Sequence, residues 1–95
     1  MLAPAENVDA RFLAVLGDVA PLAEPSRAEL EVAYLLVVRA MTVRQVAALR
    51  GVSSSTARTH WRRFADKVGL EPPLCRQELR DHYWRLSPQS GDADL

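Results

Sequence analysis

The 95-residue chain has one cysteine, Cys75, which excludes an intrachain disulfide and any zinc site built from several thiolates. Histidine is almost as scarce. His60 and His82 are the only two, and no pair among these three ligands shares a close helical face with further ones, so neither a metal nor a cofactor is expected. No run approaches the ~20 apolar residues of a membrane span. The N-terminus, MLAPAENVDARF, has an early acid and lacks a basic region followed by an apolar core, so no membrane contact and no secretion are expected, and a cytoplasmic location follows. A glycine-rich phosphate loop is also missing, and Ser53, Ser54 and Ser55 have no neighbouring histidine and acid to activate them. No catalytic residue emerges, and no enzyme reading survives. What is present, 48% hydrophobic and 25% charged residues, is the composition of a single small globular domain.

The formal net charge is zero, but it is unevenly distributed. Residues 1–38 carry two arginines against six acids (−4), residues 39–69 carry six arginines and Lys67 against Asp66 (+6), and residues 70–95 carry three arginines against five acids (−2). Positive charge gathered in one segment is the electrostatic footprint of a nucleic-acid-binding face. A solvated helix surface is the plain alternative, and charge alone does not separate the two.

The spacing within that segment does. Thr42 followed by Gln45 is a capping-box signature, and a short helix is predicted over 43–50 with Val46, Ala47 and Leu49 apolar. Gly51 suits the left-handed end of that helix and Ser53 the cap of the next, predicted over 54–69. At about 100° per residue, Ala57, Trp61, Phe64 and Val68 fall on one side of the second helix, and Ser55, Arg58, Thr59 and Arg62 on the other. Two short helices about a glycine turn, the second basic on its free face, make a helix-turn-helix.

Thr42, Val46-Ala47, Gly51-Val52-Ser53, Thr56, Arg58, His60 and Lys67-Val68-Gly69 meet the pattern of the LuxR-type (GerE-like) helix-turn-helix family, which the chain resembles over roughly residues 24–86. The resemblance implies a sequence-specific transcriptional regulator bound to double-stranded DNA, on the bacterial nucleoid when engaged, and acting as a homodimer. It puts the base-reading positions at Arg58, Thr59 and Arg62. Ser55, Thr56, His60, Arg63 and Lys67 lie toward the edges of that face and, with Thr42 and Arg44 before them, are expected to meet the DNA backbone. An alternative from another class is an interaction protein of the same fold, like region 4 of sigma factors or an anti-activator, docking on RNA polymerase or another regulator. His60 and the Lys67-Val68-Gly69 ending favour the LuxR-type reading. The chain also departs from the family: one extra residue precedes Thr42, and Arg39-Ala40 stand where the family has a glycine. Neither tolerates positive φ well, so a longer first helix or a tighter turn is expected there.

The remaining elements frame this core. An arm over 1–22 includes a helix predicted at 8–19, opened by Glu6 or Asn7, with Val8, Phe12, Val15 and Val19 on one stripe; it either covers the core or exchanges with a second protomer. Residues 1–5 are expected to be mobile. Ser26 and Glu29 form a second capping-box signature for a helix over 27–39, so apolar from Leu30 to Val38 that it must be covered nearly all round. The helix-turn-helix core spans 23–70. Pro72-Pro73 is expected to form a bend before a last helix at 74–86, within a dimerisation segment 71–88, and 89–95 to be a disordered tail. In the resembled family the last helix commonly dimerises, which points to Leu79, Tyr83, Trp84 and Leu86 as the contact. Trp61 and Trp84 read as core or interface residues rather than base-stacking platforms. The expected fold is all-α, a bundle of about four to five helices.

Overall fold

The apolar run Val32–Val38 decides the architecture, because a helix made of it has almost no side that water tolerates. In the computed structural model, which describes residues 8–19 and 21–86, that run up to Val37 lies in the helix Arg27–Val37 with Val38 as its C-cap, and every residue from Val32 to Val37 is buried. Four other helices surround it: α1 (Ala10–Val19) precedes it, and α3 (Val43–Arg50), α4 (Ser54–Val68) and α5 (Pro72–Arg85) follow, with Arg27–Val37 as α2. No strand occurs among the described residues. The all-α bundle is therefore as expected. The Cys75 side chain, the N-terminal residues 1–7 and the tail 89–95 lie outside what is described.

Asp9, rather than Glu6 or Asn7, starts α1: its Oδ1 accepts the Phe12 N–H at 2.9 Å, so the helix begins at Ala10 instead of Val8. Phe12 is wholly buried. Its ring meets Tyr34 edge-on at 5.5 Å and stacks with Phe64 at 6.4 Å, while Trp61 also stacks with Phe64 at 5.7 Å. The arm thus covers the core of its own chain, and burying a phenylalanine contributes ~1.5–3 kcal/mol.

The capping boxes form at both expected places. The Ser26 hydroxyl accepts from the Glu29 N–H (3.2 Å) and Glu29 accepts from the Ser26 N–H (2.9 Å); Thr42 and Gln45 repeat the exchange at 3.1 and 2.9 Å. Between them the connection departs from both expectations. Instead of lengthening, α2 ends at Val37, two residues early, and Ala40 itself takes a left-handed conformation with φ 55°. The turn closes through the Met41 N–H to the Leu35 carbonyl (3.1 Å), and Arg76 Nη2 from α5 bonds the Met41 carbonyl (3.1 Å).

Pro72 and Pro73 do not forbid helix there; they occupy the first positions of α5, where the missing N–H would have had no partner anyway. The helix starts two residues before expectation. Its Leu79 and Tyr83 are 1% and 4% exposed and belong to the same core, which corrects their assignment to a dimer contact. An amphipathic stripe shows that a face is covered, and here α1 and the core do the covering. The Tyr83 hydroxyl donates to Asp9 Oδ2 at 2.7 Å, Arg11 lies over the Tyr83 ring at 5.0 Å, and His82 meets Asp18 at 3.1 Å.

Candidate nucleic-acid interface

The basic segment folds into α3 and α4, packed against each other across a two-ended turn. Gly51 ends α3 with φ 71° and ψ 33°, its neighbour Val52 bonding back to the Ala47 carbonyl at 2.9 Å. Ser53 then caps α4 by accepting the Thr56 N–H at 3.0 Å and donating its hydroxyl to Thr56 Oγ1 at 3.0 Å. At the far end Gly69 is left-handed as well, and the Leu70 N–H returns to Ala65 at 3.1 Å. Fixed at both ends, α4 buries Ala57, Phe64, Ala65 and Val68.

The opposite side is open. Ser55, Thr56, Arg58, Thr59, Arg62 and Arg63 are all exposed, as are Thr42 and Arg44 on the preceding helix and its cap. Arg58 and Arg62, one turn apart, point the same way with Thr59 between them in register. None of Arg58, Arg62 and Arg63 forms an ion pair among the described residues. His60 sits at the edge, half-buried, with Nδ1 enclosed and unpartnered, which leaves Nε2 as the ring nitrogen able to meet a phosphate. Trp61 is tucked against Phe64 and offers no base-stacking platform.

Lys67 departs from the expected role. Its ammonium turns inward to Glu29 Oε1 at 2.7 Å, on the first turn of α2, so the chain's single lysine is withdrawn from the free face. Burial pushes the Glu29 carboxyl up, but the Lys67 hydrogen bond, the Ser26 N–H and the lysine's charge outweigh it and hold Glu29 below its ordinary range. Two residues on, Glu31 pairs with Arg50, the last residue of α3. Of the seven basic residues in 39–69, removing Arg50 and Lys67 leaves five exposed arginines, 39, 44, 58, 62 and 63, against exposed Asp66. The field of the face is narrower than the charge count suggested. Asp66 lies one turn beyond Arg62, and with the negative end of the helix dipole it makes the last turn of α4 unfavourable for phosphate.

The sequence reading thus missed the ion pairs of Glu29 and Glu31, of which only the capping role of Glu29 was seen. The signal was there: acids on a helix this apolar must find cationic partners or pay heavily for desolvation. On α5, Trp84 is 50% and Leu86 38% exposed, so these two remain of the four residues assigned to a dimer contact. Tyr83 beside them is pushed up to about 12, first by burial and then by its bond to Asp9, and burial with the nearby Asp9 charge raises Tyr34 as well. No group of three metal-ligating side chains occurs among the described residues, and no helix there is long and apolar enough to cross a membrane. No protein-family model, no curated protein and no solved structure matches the chain.

Proposed function

We propose that the protein is a sequence-specific DNA-binding transcriptional regulator of LuxR type, with α4 in the major groove. The observation that carries this reading is the exposed row Arg58, Thr59 and Arg62, whose arginines form no ion pair among the described residues, on a helix capped by Ser53 at one end and by left-handed Gly69 at the other. An arginine fork can bond guanine O6 and N7 together, and a rigid helix holds it in register to do so. Ser55, Thr56, His60, Arg63, Thr42 and Arg44 flank the row and meet phosphates, which orient the helix without reading sequence.

The active species is a two-fold dimer whose contact includes Trp84 and Leu86, reading half-sites ~34–36 Å apart. A monomer at tens of micromolar in equilibrium sedimentation, free and with DNA, would refute the dimer. The DNA reading itself is tested by mobility shift of genomic fragments at two salt concentrations. A subset of fragments retained at the higher salt supports it; uniform binding that vanishes with salt marks charge-driven adhesion, and no shift at either salt removes it.

One observation favours the docking alternative: Leu49, on α3, is 59% exposed beside Gln45 and Ala48. A partner such as RNA polymerase or another regulator would cover that leucine while leaving the arginine row free.

A further inference from the structure

The two acids of α2 stand in a particular relation to the DNA-reading pair. Glu29 and Glu31 lie in the first turns of one helix, and each grips the last turn of a different partner, Lys67 of α4 and Arg50 of α3. Both pairs are shielded, with Glu29 and Glu31 side chains 6% and 13% exposed. The Lys67 backbone joins in, its carbonyl accepting the Leu22 and Ala23 N–H groups at 2.7 and 3.1 Å. Position 67 is therefore held from two directions, by the side chain to α2 and by the main chain to the segment before it.

We infer that Glu29 and Glu31 are positioning residues for base readout, setting the tilt of α4 and its angle to α3, an inference that rests on the DNA-binding reading above. The leverage is geometric. Arg58 lies nine residues from Lys67, ~14 Å along the axis at 1.5 Å per residue, so a ~5° tilt about the Lys67 end moves it by ~1 Å. A bidentate arginine–guanine pair does not survive such a shift with both bonds intact. The phosphate contacts of Arg44 and Arg63, made by long side chains to a continuous backbone, do survive it. Loss of either acid thus lowers discrimination between sequences while leaving the general attraction to DNA in place.

The test compares wild type with Glu29→Gln, Glu31→Gln and Lys67→Gln. Glutamine at 29 keeps the acceptor that the capping box needs, so that variant removes the ion pair and spares the cap. Circular dichroism establishes that each is folded. The probes are the duplex enriched by wild type from a randomised pool and an alternating inosine–cytosine copolymer, each titrated across salt. The expected result is a fall of about tenfold in the ratio of the two affinities, confined to the enriched duplex, with the salt slope of Lys67→Gln unchanged and the ratio restored in Lys67→Arg. If Lys67→Gln lowers the salt slope by about one and keeps the ratio, Lys67 is a phosphate ligand and the inference falls. If both affinities drop in proportion, the pairs serve stability alone and the inference also falls. If wild type enriches no sequence, the DNA-binding reading fails first, and the inference with it.

Discussion

Ala40 and Gly51 make a matched pair of experiments. Ala40 has φ 55° and Gly51 has φ 71°, so the turns on either side of α3 each hold a left-handed residue, yet one is an alanine. A left-handed backbone costs an L-residue ~1–2 kcal/mol through crowding of Cβ against the following carbonyl. Replacing Ala40 with glycine removes that cost but frees the unfolded chain, which returns ~0.4–1 kcal/mol of it. The net expectation is a stabilisation of ~0.5–1 kcal/mol, a rise in Tm of ~2–8 °C for a domain of this size. Gly51→Ala should move the other way by a similar amount. At Gly51 an added Cβ meets nothing within 4 Å, so the change there is conformational and carries no steric surcharge. Gly69→Ala is the contrasting case, because its Cβ would stand 3.2 Å from Leu22 Cδ1. Thermal melts followed by circular dichroism decide the matter. An Ala40→Gly protein no more stable than wild type, with Gly51→Ala destabilised as expected, would refute a left-handed Ala40.

Three further outcomes are expected. Phe64→Ala, at the centre of the Phe12, Trp61 and Phe64 stack, should lose ~3–5 kcal/mol in urea unfolding, and a loss below ~1 kcal/mol would mean that the faces of α4 are misread. Tyr83 is raised to about 12, so the folded state keeps a proton that the unfolded chain loses near 10; its contribution is full below ~10 and disappears as pH rises toward 12. Unfolding followed across that window should show the decline in wild type and a flatter profile in Tyr83→Phe. Arg58→Ala or Arg62→Ala should cost ~1–3 kcal/mol on the enriched duplex and relax preference at one base pair, as read by a competition series of single-base variants, and unchanged affinity and preference would leave the docking alternative as the better account.

How far the sequence could be read depended on the range of each interaction. The bounds of α3 and the start of α4 were legible because Thr42–Gln45, Gly51 and Ser53–Thr56 act over three or four residues. Nothing comparable announced Ala40: its backbone is forced by how α2 and α3 must meet, and a local preference yields to that packing. For Lys67 the decisive partner lies 38 residues away, so its place on a basic helix pointed outward while the geometry turned it in. The same limit applied to Leu79 and Tyr83. They were assigned to a dimer contact, but α5 packs against α1, α2 and α4 of its own chain and both residues belong to the core, which the α5 sequence alone could not announce. That Arg58, Thr59 and Arg62 share an open face needed only helical period, and all three are exposed.

The bond between Asp9 and Tyr83 joins residues 74 apart, and that between Asp18 and His82 joins residues 64 apart. Contacts of such separation close long loops among the described residues, and the loop-closure entropy must be met before these non-local contacts stabilise the chain. The order of assembly expected from these separations runs from the middle outward: α3 with α4 over a short turn, then α2, then α5 and α1 latching together last. Run in reverse, the same order makes the first and last helices the segment expected to open most easily, exposing Phe12 and the ring of Phe64 against it while α3 and α4 are still packed together. Amide exchange should record this as a graded series, fastest along α1 and the end of α5 and slowest in α2 and α4.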